Sequence, residues 1–151
     1  MEILEKAYLE TEYIIFLPKS EEKIVLRINE PPPTKWIQIL QKKKFFSYFL
    51  FTPYNPCSAL LPDFENDQKR RKLKNILQIH KVHFYLAESN PKEQIWKEKF
   101  FCLFNVEQEF MHKLAFLFSQ NAYIFGTKDT HPKLVWTMPD ERILKRLKNT
   151  V

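Results

Sequence analysis

Apolar and polar positions along this chain switch repeatedly between a two-residue and a helical period. Tyr8 to Leu17 gathers aromatic and β-branched residues (Tyr13, Ile14, Ile15, Phe16), and the polar turn Pro18-Lys19-Ser20-Glu21-Glu22 leads into Lys23-Ile24-Val25-Leu26-Arg27-Ile28. Two such runs joined by turn residues predict a β-hairpin with a longer loop. Pro31-Pro32-Pro33 ends the pairing, because proline donates nothing to a ladder, and Thr34 is placed to cap a helix to about Lys43 with Trp36, Ile37 and Leu40 on one face. Phe45 to Thr52 is a continuous apolar run of strand length closed by Pro53, Asn55 and Pro56, as a buried interior strand requires.

The second half repeats the pattern. A helix opens at Asp63 with an acidic first turn and a basic body, the order a helix dipole favours, and Leu73, Ile76 and Leu77 form its core face. Val82 to Ala87 and Lys99 to Phe104 read as strands of a second hairpin around the polar loop Ser89 to Trp96. Asn105 and Gln108 resemble a capping box ahead of a helix with Phe110, Met111, Leu114, Ala115, Leu117 and Phe118 at helical spacing. Ala122 to Phe125 and Lys133 to Trp136 are short strands, and Pro139 suits the first turn of a helix reaching Lys148. The order β-β-α-β-α-β-β-α-β-β-α predicts an α/β fold of the α+β kind. It comprises one domain over residues 1–151, a mixed sheet of about six to seven strands, three main helices and a short C-terminal helix.

Composition narrows the possible chemistry. The 151 residues are 44% hydrophobic with 14 Phe, 6 Tyr and 3 Trp, enough to bury a core. No stretch approaches the roughly 18 to 20 apolar residues of a membrane-spanning helix, and the N-terminal residues lack a signal-peptide pattern, so a cytoplasmic protein without membrane contact is expected. Cys57 and Cys102 show no metal or redox spacing and are expected as reduced thiols. The single glycine, Gly126, is the sharper datum. Phosphate-binding loops of the Walker and dinucleotide kinds need two or three glycines for close backbone approach, and a GxSxG elbow needs two. All three are excluded. His80, His83, His112 and His131 have no accompanying carboxylate or Cys cluster, so neither a metal site nor a cofactor is expected.

Two motifs set uncharged polar groups against strand ends: Thr52-Pro53-Tyr54-Asn55-Pro56-Cys57-Ser58, and Phe118-Ser119-Gln120-Asn121-Ala122. In open α/β sheets, ligands collect where loops leave the carboxyl ends of strands, and Thr52, Asn55 and Ser58 offer hydrogen-bonding groups there. The plainer alternative is an Asn-Pro turn in the first motif and a left-handed Asn121 ending a helix in the second. The net charge of +6 and the run Lys69, Arg70, Arg71, Lys72, Lys74 admit a nucleic-acid-binding module, although such a run is also the ordinary solvated face of a helix.

Taken together, the strand ending in Thr-x-Tyr-Asn-Pro, Asn66 in the next helix, and Phe-x-Gln-Asn-Ala-x-x-x-Gly resemble the small bacterial proteins of the domain of unknown function 3293 family, over roughly Tyr8 to Trp136. The resemblance implies two further matched positions, Arg27 in an early strand and Glu98 before a later one. It also implies two departures, Cys57 and Asn105 standing where the family usually has glycine. Glu98 becomes the one candidate for acid–base chemistry. Arg27, Thr52, Asn55, Ser58, Asn66, Gln120 and Asn121 become the candidate ligand-binding set, for a small polar or nucleotide-like molecule. These residue types suit ligand binding with or without a reaction. The nucleic-acid module and a protein-interaction module stand as the alternatives.

Overall fold

A computed structural model of the chain describes residues 2–137. The elements in order are α1 (Glu2–Leu9), β1 (Glu12–Phe16), β2 (Lys23–Leu26), α2 (Thr34–Lys43), β3 (Tyr48–Phe51), α3 (Asp63–Ile79), β4 (His83–Asn90), β5 (Lys99–Phe104), α4 (Gln108–Leu117), β6 (Ala122–Gly126) and β7 (Lys133–Trp136). The strands make one seven-stranded sheet ordered β2-β1-β4-β5-β3-β6-β7, with both expected hairpins present. Every pairing is antiparallel, so the sheet is not mixed. The helix expected from Pro139 lies outside the described residues.

Both faces of the sheet carry core. On one face Tyr13, Ile15, Phe100, Cys102 and Leu50 pack with Trp36 and Leu40 of α2. On the other, Phe49, Phe51, Phe101 and Leu103 pack with Leu73 and Leu77 of α3 and Met111 and Leu114 of α4. Strand β3 is therefore buried at all four positions, as its continuous apolar run requires. The sheet curls about the α2 face: Asn29 N–H, beyond β2, donates to Pro132 O, ahead of β7 (2.8 Å), and Tyr8 meets Trp136 edge-on at 5.9 Å. The two edge strands are thus drawn toward each other.

Three local expectations need correction. Tyr8 belongs to α1 rather than to the first strand, because Thr11 ends that helix by donating Oγ1–H to Ala7 O (2.6 Å) and N–H to Tyr8 O. Helix α2 takes Pro33, not Thr34, as its N-cap. The capping box at Asn105 is absent: the cap of α4 is Glu107, and Asn105 Oδ1 instead accepts Phe46 N–H (2.6 Å) while its Nδ2 donates to Lys44 O. A side chain offered a long-range backbone partner leaves the local one.

With so little glycine, left-handed backbone falls on other residues. Among the described residues nine non-glycine positions have positive φ, including Cys57 (58°) and Asn105 (56°). These are the two positions at which the resemblance led one to expect glycine, and the conformation gives the reason. Gly126 itself has no positive φ. It is needed for space, since a Cβ there would overlap Oη and Cζ of the buried Tyr48.

Candidate functional site

The first motif leaves the end of β3 under tight local control. Thr52 Oγ1 donates to Lys99 O (2.7 Å) and accepts Tyr54 N–H (3.1 Å), which holds the chain against β5 as it exits the sheet. Asn55, Cys57 and Ser58 then adopt left-handed φ of 49°, 58° and 59°. Each costs about 1 kcal/mol or more in a residue with a Cβ, so the turn must be held from outside. Asn66, buried in the first turns of α3, supplies the hold. Its Oδ1 accepts Asn55 N–H (2.9 Å) and its Nδ2 donates to Asn55 Oδ1 (2.9 Å), which also accepts Leu61 N–H (2.9 Å). This reciprocal pair satisfies groups that burial would otherwise penalise.

The second motif clasps the first. Ser119, not Asn121, takes the left-handed position that ends α4 (φ 51°), and its carbonyl accepts Cys57 N–H (2.8 Å). Gln120 is buried, and its Nε2 donates to Tyr54 O (2.8 Å). Asn121 Nδ2 donates to Ser58 Oγ (3.0 Å). The amides expected to read a ligand edge are spent largely on joining the two loops.

Glu98 is an ionisable side chain joined to these loops, and it is largely buried. It lies just before β5, where its N–H donates to Ser89 Oγ (2.9 Å) and its carbonyl accepts Ser89 N–H (2.9 Å). Asn55 Nδ2 donates to its Oε2 (2.8 Å), so the chain of holders runs Asn66, Asn55, Glu98. Burial pushes the carboxyl up to about 7, against the lowering effect of the Asn55 hydrogen bond. The phenols of Tyr8 and Tyr13 are raised too, chiefly by burial and further by the charge of Glu98.

A cleft of about 510 Å³ opens over this carboxyl. Tyr54 and Phe64 line it, Phe64 being 65% exposed at the start of α3. Around them stand Asp63, Asp67 and Glu88, with Lys97 and Lys99. Lys97 is 3.7 Å from Glu88, and Asp67 is held low by hydrogen bonding from Arg70 and the nearby guanidinium charges.

The structure thus brings Thr52, Asn55, Ser58, Asn66, Glu98, Gln120 and Asn121 to one end of the sheet, joined by the hydrogen bonds above. Arg27 is engaged elsewhere, in ion pairs with Glu12 (3.1 Å) and Glu30 (3.7 Å). In the basic run, Arg70 and Arg71 both pair with Asp67 at 2.8 Å. Lys42 and Lys43 belong to α2, which packs on the opposite face of the sheet from α3, so these basic stretches lie on different sides of the sheet. Phe64 and Ser89 were not singled out from sequence. Phe64 follows the helix-opening Asp63 and had only its exposed-face position as a signal, while nothing local marks Ser89 as the partner of Glu98. Among the described residues, no group of three or more His, Cys, Asp or Glu could hold a metal ion, and no helix is long and apolar enough to cross a membrane.

A family model described as a protein of unknown function (DUF3293) matches residues 51–123. That span runs from the end of β3 to the start of β6 and contains both motifs, Asn66 and Glu98. No curated protein and no solved structure matches the chain.

Proposed function

Residues 51–123 match the DUF3293 family of proteins of unknown function, and on that premise we propose that the chain binds a small polar ligand in the cleft over Glu98. Glu98 is the group that recognises the ligand and can exchange a proton with it. Asn55, Asn66, Thr52 and Gln120 act one step back, as holders of the loop that presents it. The observation that carries this reading is a carboxyl raised to about 7, fixed by Asn55 and opening into a cleft of about 510 Å³. Ordinary surface carboxylates are neither desolvated nor positioned in this way, and groups poised near neutrality are suited to general acid–base work.

The cleft volume is within the range of small-molecule sites, roughly 300 to 1,000 Å³. The nucleic-acid alternative is weaker, because pairing with Asp67 offsets much of the charge of Arg70 and Arg71. The test is a thermal-shift and NMR screen of sugars, amino acids, amines and nucleosides against the full chain and Glu98→Gln. At least one class should bind the former and lose affinity for the latter. A screen in which nothing perturbs residues lining the cleft would sink the proposal.

A further inference from the structure

We infer that the occupant of the cleft is a flat nitrogen heterocycle carrying adjacent N–H donors, of the guanine type, in its nucleoside form rather than its phosphorylated form. The inference rests on the preceding reading of the cleft and names its substrate class. Three features of the lining select it. Tyr54 and Phe64 both border the cleft, and Phe64 keeps 65% of its surface in water, leaving apolar area that a bound ring would cover. Exposed aromatic faces beside a polar floor are what a planar ring stacks upon.

The floor is Glu98. Its Oε2 accepts one hydrogen bond from Asn55, which anchors that oxygen, and the remaining lone pairs of the two oxygens are suited to a pair of neighbouring N–H donors. Ring N–H and exocyclic amine on one edge meet that requirement. A sugar hydroxyl would gain the same acceptor without the stacking, and an aliphatic amine would gain the charge without the edge.

Charge decides against the phosphate. Among the described residues, four carboxylates (Asp63, Asp67, Glu88, Glu98) line the cleft against two lysines, and Lys97 is already within ion-pair distance of Glu88. Arg70 and Arg71, which follow on the same helix as Asp67, are occupied by it. A dianion entering here meets repulsion from Asp63 and Glu98, with Lys99 as the one uncommitted cation of the lining among the described residues.

Isothermal titration of the full chain with guanosine, adenosine and guanosine monophosphate at low salt tests this, with Phe64→Ala and Glu98→Gln as variants. Guanosine should bind best. The monophosphate should be about tenfold weaker, the factor that about 1.4 kcal/mol of repulsion produces. Phe64→Ala, an exposed position whose truncation leaves the fold intact, should lose on the order of tenfold in guanosine affinity through lost stacking. Glu98→Gln, which presents an N–H to the ring edge, should lose a comparable factor. Binding of the monophosphate more tightly than guanosine overturns the inference, as does guanosine affinity unchanged by Phe64→Ala. If guanosine fails but a sugar or amine binds in a Glu98-dependent way, the ring assignment falls while the cleft reading stands. If no class binds, both fall.

Discussion

Replacing Glu98 by Gln should make the protein more stable above neutral pH and leave it nearly unchanged below pH 4. The carboxyl has an ordinary value of 4.5 and rises to about 7 in the fold because burial penalises its charge. A folded value above the unfolded one means the folded state holds the proton more tightly between those limits. Stability therefore falls as pH rises from about 4.5 to about 7 and is level on either side. At about 1.4 kcal/mol for each tenfold change in proton affinity, the ceiling on this loss is about 3 kcal/mol. The introduced amide retains an oxygen to accept Asn55 Nδ2, as the neutral carboxyl does, and the stronger bond to the ionised form is already counted in the shift. The gain at pH 8 is then up to about 3 kcal/mol, or roughly 6 to 12 °C in melting temperature for a domain of this size. Urea denaturation of both proteins from pH 4 to 8.5 measures it, and taking the difference between them removes the contribution of groups such as Asp67, whose lowered carboxyl gives a slope of opposite sign. A difference that is constant across this range, or that grows toward low pH, would refute the burial of the Glu98 charge.

Asn66→Ala should cost about 2 to 4 kcal/mol, since it strands Asn55 N–H and weakens the hold on a left-handed turn, and chemical denaturation reads it directly. The same logic makes Asn55 with Gln120 a destabilising pair to mutate rather than a clean test of binding. Gly126→Ala should cost at least about 1 to 3 kcal/mol by overpacking Tyr48. Adding Tyr48→Phe should not rescue it, because the ring carbons Cζ and Cε1 also lie too close, and calorimetric recovery in the double variant would contradict the steric account. Cys57→Gly should stabilise by about 0.5 to 1 kcal/mol, relief of the left-handed strain outweighing the entropy of the added glycine. A lower melting temperature in that variant would show that the thiol packs usefully.

Legibility differed by the range of the interaction. The two hairpins, the interior strand β3 and helices α2, α3 and α4 follow from periodicity, because burying one face of a regular element imposes a period on its own sequence. The location of the candidate site at the end of β3 was readable for a similar reason, from a strand run stopped by Pro53, Asn55 and Pro56. Asn105 and Thr34 show where such reading ends: each has a good local capping role available, and the fold supplies or removes a competitor that lies elsewhere in the chain. Arg27 shows the same for charge. It lies one residue past β2 rather than within a strand, and the antiparallel neighbour β1 places Glu12 beside it and commits it there.

What the sequence by itself determined is the run of elements from β1 to β7, though not α1 ahead of them, and the scarcity of glycine, which excluded phosphate-cradling loops and forced left-handed turns onto Asn, Ser, Lys and Cys. What only the tertiary structure decided is the division of labour among the polar residues. Asn55, Asn66 and Gln120 carry the same amide chemistry whether they read a ligand or hold a loop, and the choice depends on which buried donors and acceptors the fold brings within about 3 Å. Glu98 acquires its raised proton affinity in the same way, from burial, and its fixed position from an Asn 43 positions earlier in the chain. Periodicity is a property of neighbours in sequence, whereas desolvation and hydrogen-bond satisfaction are properties of neighbours in space.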